Sequence, residues 1–129
     1  MSDLRITDIS TAAFSASAAR DGAAIVLELW GNADSRVVDV VAVLLPQVHA
    51  EALRLGVSEV VIDFRGLEFM ISSCFKGFVS WLNLLREHES GPPYTMRFRL
   101  AAAIHWQQRS IDALRCFAAG IVRIDPGPT

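Results

Sequence analysis

The chain has 129 residues, 52% of them hydrophobic and 20% charged, which is enough apolar material for one domain-sized core and too much for a disordered chain. Its 12 basic and 14 acidic residues give a net charge of -2, without the basic excess that marks nucleic-acid-binding domains. The longest strongly apolar run, Val40 to Leu45, stops at Pro46, far short of the roughly 20 residues that cross a bilayer. Met1-Ser2-Asp3-Leu4-Arg5 opens no apolar block of a secretory signal, so no membrane insertion and a cytoplasmic location are expected.

Residues 1–11 are polar and weakly patterned, a tail or a sheet edge. Phe14, Ala16 and Ala18 alternate with Ser15, Ser17 and Ala19. Asp21-Gly22 then separates this run from Ala24–Trp30, which predicts a hairpin. Gly31-Asn32-Ala33-Asp34-Ser35 is turn chemistry leading into a helix over Val37–Leu55, where Pro46 is expected to kink or divide it and Gly56 to end it. Glu59–Phe64 is a nearly continuous apolar run, the signature of a central strand. Residues 65–71 read as a loop. A helix follows from Ser72, with Phe75, Phe78, Val79, Leu82 and Leu85 on one stripe, until Ser90-Gly91-Pro92-Pro93 breaks it. Tyr94–Ala103 predicts a strand, Trp106–Ala119 a helix, Ile121–Ile124 a last strand, and residues 126–129 a tail. The order β-β-α-β-α-β-α-β predicts an α/β domain over residues 12–125, with a mixed sheet and helices mainly on one face.

Catalytic and metal-binding patterns are missing. His49, His88 and His105 share no ligand spacing with one another or with Cys74 and Cys116, so no metal or other cofactor is expected. Ser72 and Ser73 follow a strand and open a helix, as a nucleophile would. Ile71 and Cys74 stand where a hydrolase elbow needs glycines, which leaves a serine-nucleophile enzyme as a remote alternative. Cys74, in a first helical turn, is either a reactive thiol or a small buried apolar group.

The stretch from Val60 to Phe75, VVIDFRGLEFMISSCF, resembles the central signature of STAS domains, the fold of bacterial anti-sigma factor antagonists. That signature is an apolar strand ending in Asp-Leu, a turn, Phe-Ile or Phe-Met, and Asp-Ser-Ser-Gly-Leu opening a helix. Asp63, Phe69, Met70, Ser72 and Ser73 match it in order, and Gly31-Asn32-Ala33-Asp34 resembles the family's Gly-x-x-Asp upstream. The family's aspartate before the serines is Ile71 here, and its glycine after them is Cys74.

The resemblance implies a STAS-like single domain that binds proteins and catalyses nothing. It implies phosphorylation at Ser72, or failing that Ser73, and a partner surface of Asp34, Ile71, Ser72, Ser73, Cys74 and Lys76. The implied partner is an anti-sigma factor or related serine kinase of histidine-kinase-type ATPase fold, with a weak homodimer as a further implication. An unphosphorylated scaffold or transporter-associated subunit is the alternative within the same fold. The plainer reading of Ser72 and of Asp34 is that each only caps a helix.

Overall fold

The computed structural model describes residues 4–125. Gly22 turns the chain at φ 59°, in the left-handed region, so β2 (Phe14–Asp21) folds straight back on β3 (Ala24–Ala33) with Asp21 opposite Ala24. A two-residue strand, β1 (Ile9–Ser10), pairs antiparallel with β2, so the sheet begins upstream of residue 12. A 3-10 turn at Ser35–Val37 then leads into α1 (Val38–Leu55). The rest is β4 (Glu59–Met70), α2 (Ser72–Arg86), β5 (Thr95–Arg99), α3 (His105–Phe117) and β6 (Val122–Asp125). The six strands lie side by side in chain order, antiparallel from β1 to β3 and parallel from β3 to β6. One helix makes each parallel crossover, as the alternating elements predict.

All three helices bury their apolar faces in one cluster with alternate strand residues, among them Ile25, Leu27, Val60, Ile62, Phe64, Met96 and Phe98. Phe64 stands edge-on to Phe78 and Phe98, with both pairs of ring centroids 5.5 Å apart, and so ties β4 to α2 and β5. The intervening residues form the other face, which no helix covers. There Arg97 pairs with Glu59 at 2.9 Å, Arg65 with Asp63 at 2.8 Å and Arg99 with Asp125 at 3.6 Å. Partly exposed pairs of this kind contribute about 0–1 kcal/mol each, so they keep the face wet more than they stabilise it.

Two features depart from the sequence reading. Pro46 neither ends nor divides α1, which runs unbroken for 18 residues. The proline removes only the N–H that would have bonded the Ala42 carbonyl, and Leu44, Leu45 and Val48 around it are buried firmly enough to hold the helix together. The second departure shapes the site: most of the segment 65–71 is strand. β4 runs on to Met70 because it accommodates two extra residues against β3, between the pairs Glu28–Asp63 and Trp30–Gly66, and between Gly31–Leu67 and Asn32–Phe69. Asp63 staples the first irregularity, its carboxylate accepting from the Arg65 amide at 3.0 Å and from the Arg65 guanidinium at 3.0 and 2.8 Å. Burial works to raise the Asp63 pKa, but these bonds outweigh it and hold the carboxyl below its ordinary value. Smaller boundary shifts shorten the fifth strand to Thr95–Arg99 and start α3 at His105.

Candidate partner-binding site

The parallel strands β3 and β4 end side by side, so the turn after β3 and the start of α2 meet at that edge. Ala33 is paired with Met70, and the Ile71 amide donates to the Ala33 carbonyl at 3.0 Å. The two segments are thereby locked together. The carboxyl ends of parallel strands are where open α/β sheets usually bind their ligands.

The turn after β3 is fixed by Asp34. Its Oδ1 accepts from the Arg36 amide at 2.9 Å, which caps the 3-10 turn, while its two oxygens accept from the Arg36 guanidinium at 2.6–3.2 Å. The side-chain bond from Arg36, and then the backbone one, hold the Asp34 carboxyl below its ordinary pKa. Asp34 is therefore a cap whose charge is already neutralised. Arg36, which the sequence reading did not select, is the residue of this pair that faces solvent, its side chain 73% exposed. The Asp-x-Arg spacing was the available signal.

The start of α2 differs from the sequence expectation in one respect. Ile71 occupies the cap position, with φ -75° and ψ 158°, and no side chain caps the helix. Ser72 is thus the first helical residue and not the cap. Ser72, Ser73 and Lys76 are exposed, and Lys76 lies one turn along from both serines. Ile71 is half-buried against the core, so it offers a partner only part of its surface. Phe69, two residues earlier on β4 and paired with Asn32, is 46% exposed and is the large apolar side chain that this end of the sheet leaves open.

Cys74 must be removed from the contact set. It is 1% exposed, and its Sγ lies 3.9 Å from the Asp34 carbonyl, under the surface and not on it. Burial, followed by the Asp34 charge, raises the thiol pKa, the opposite of what a reactive thiolate needs. What Cys74 does is pack the Asp34 turn onto α2.

Two residues of α3 hold this edge in shape. Gln107, completely buried, donates from Nε2 to the Phe64 and Leu67 carbonyls at 2.6 and 2.7 Å and accepts from the Ala101 amide at 2.8 Å. The Trp106 indole donates to the Glu68 carbonyl at 2.8 Å. The irregular end of β4 is thereby bonded to a helix on the side away from β3.

An aspartate at position 71 would sit in cap geometry and accept from a first-turn amide. Ile71→Asp should therefore be more stable than Ile71→Ala by about 1 kcal/mol in urea unfolding, since both lose the same apolar packing and only one gains a cap. Equal stability of the two variants would mean that the backbone there does not accept a side-chain cap.

No protein-family model and no curated protein matches the chain. Among solved structures it is similar to an anti-sigma factor antagonist from Mycobacterium paratuberculosis, with TM-score 0.66 and 15% identity over 92% of each chain. The chain has the fold of that antagonist. A STAS domain of an antisigma-factor antagonist from Rhodobacter sphaeroides also aligns, with TM-score 0.44 and 16% identity over 73% of this chain and 91% of that one. At 15% identity the shared property is the fold, which in this chain is a six-stranded mixed sheet with three helices packed into one core cluster. Among the described residues no helix is long and apolar enough to cross a membrane.

Proposed function

We propose that the chain is a regulatory module that binds an anti-sigma factor at the edge formed by Asp34, Arg36, Phe69, Ile71, Ser72, Ser73 and Lys76, and that phosphorylation of Ser72 releases it. The observation that carries this reading is Ser72, exposed at the first position of α2 and outside the cap position, which Ile71 occupies. The fold shared with a solved anti-sigma factor antagonist supports it.

The chemistry of the site is compatible with the switch. A phosphate on Ser72 adds about -1.5 to -2 charge where first-turn amides and the helix dipole favour an anion, with Lys76 one turn away, so the fold tolerates it. A partner surface fitted to the neutral hydroxyl and the Phe69 patch does not. In the transfer, Ser72 Oγ bonds to the γ-phosphorus of ATP as the bond to the β-phosphate oxygen breaks, and ADP leaves. The hydroxyl proton goes to a base on the kinase, because position 71 holds no carboxylate and Arg36 engages both oxygens of Asp34. The partner in this reading is an ATPase of histidine-kinase-type fold that is both anti-sigma factor and kinase.

The test uses the purified chain with its cognate ATPase. Ser72→Ala should abolish incorporation of phosphate from ATP. Ser72→Asp should weaken binding at least about tenfold, or about 1.4 kcal/mol, with the melting temperature nearly unchanged. Equal binding by wild type and Ser72→Asp would remove the switch from this site, and an unmodified chain after incubation with ATPase and ATP would favour a constitutive scaffold.

A further inference from the structure

Further along α2 from the Ser72 edge, beginning at Gly77 next to Lys76, α1 and α2 part to leave a groove of about 280 Å³. Small residues make the gap: Ala42 and Pro46 on α1 face Gly77 and Ser80 on α2. Gly77 sets how close the helices come, since a Cβ there would stand 3.0 Å from Leu45 Cδ1. Leu45, Trp81 and Leu84 supply apolar walls, and Leu84 is 49% exposed. The volume is near the lower end of small-molecule sites, about 300 Å³, and the lining is of the kind they use: mostly apolar, with few polar groups.

The polar group here is set by a three-residue relay. The Trp81 indole N–H can only donate, and it donates to the Tyr94 hydroxyl oxygen at 2.5 Å. Tyr94 lies 2.7 Å from His49 Nδ1 and is 3% exposed, so its own proton goes to that nitrogen. The network thus assigns His49 the neutral tautomer with its proton on Nε2. Protonating His49 would aim a second donor at Tyr94 and leave the phenol proton without an acceptor. Burial, followed by the charge of His88, also lowers the His49 pKa. No buried side-chain nitrogen or oxygen among the described residues lacks a partner, and His49 bonds through Nδ1, so Nε2 is the nitrogen left accessible. His49 lines the groove.

We propose that the groove between α1 and α2 binds a compact apolar ring compound carrying one hydrogen-bond acceptor oxygen, which the Nε2–H of His49 recognises while Trp81, Leu45 and Leu84 cover the ring. The proposal does not rest on the Ser72 switch.

The test is a titration of the ¹⁵N-labelled full chain with acetophenone and with ethylbenzene, two probes of one shape of which only the first carries an acceptor. Acetophenone should shift the Trp81 indole and the Gly77 and Ser80 amides saturably, and ethylbenzene should bind about three- to tenfold more weakly, the worth of one hydrogen bond. Ser80→Phe, at an exposed rim position, should abolish both responses. Intermolecular contacts from the probe to the Trp81 ring locate the site even if that variant does not fold. Absence of saturable shifts up to the solubility limit would overturn the site. Equal binding of the two probes would overturn the recognition by His49, and undiminished binding by folded Ser80→Phe would overturn the location.

Discussion

Replacing Gln107 by leucine is expected to destabilise the fold by about 3–5 kcal/mol. The two side chains are close in size, so packing changes little and the loss is polar. The Phe64 and Leu67 carbonyls and the Ala101 amide each lose their bond to Gln107, at a position with 0% exposure. A buried backbone group left unsatisfied costs about 1–3 kcal/mol, and water entering beside the irregular strand recovers part of the sum. Urea unfolding measures the cost. Amide exchange locates it, because protection should fall first over residues 64–71, the stretch that delivers the chain to Ser72. Gln107→Glu should cost at least as much, since it keeps an acceptor for Ala101 but turns a buried carboxyl oxygen onto the two carbonyls in place of the donors. A leucine variant within 1 kcal/mol of wild type would show that α3 does not hold the end of β4.

The fold was legible in the sequence because its signals are local. The Asp21-Gly22 turn, the apolar run at Glu59–Phe64 and the helical stripes each depend on residues a few positions apart, and the alternation of elements dictates the parallel crossovers. The site was legible in outline only. Ser72 was rightly placed at a helix start, yet Ile71, with no capping oxygen, took the cap position. Cys74 entered the partner surface through the family resemblance alone, and its other reading, a small buried apolar group, is the one the structure shows. The buried set is Cys74, Phe78, Trp81, Leu82 and Leu85, a stripe turned slightly around the helix. The strand character of residues 65–70 was hidden because two insertions break the period of two. Gln107 carried no signal at all: its carbonyl partners are 43 and 40 residues away, and a single glutamine in an amphipathic helix looks like any solvated one. Residues that position a site through backbone contacts between distant segments have no motif of their own.

Gly31 is the other such residue, and Gly31→Ala is expected to cost about 3 kcal/mol or more. Gly31 has φ 91°, which by itself costs an alanine about 1–2 kcal/mol. The larger cost is steric. A Cβ at residue 31 would lie 2.1 Å from the Ala13 carbonyl oxygen and 2.9 Å from its carbon, and these backbone atoms cannot turn aside as a side chain would. The same oxygen accepts from the Asn32 amide at 2.8 Å, so backing β2 away to relieve the clash breaks a bond and shifts the turn that carries Asp34. Gly22→Ala is the control. Gly22 also sits in the left-handed region, at φ 59°, but nothing lies within 4 Å of its missing Cβ, so only the conformational cost remains. In urea unfolding the alanine at 31 should therefore exceed the alanine at 22 by about 2 kcal/mol. Partner binding should weaken at 31 and hold at 22, because only the first displaces Asp34 and Arg36 from the edge they share with Ser72. Equal costs at the two positions would mean that the first strands separate freely, and the Asp34 turn would then not be held by β2.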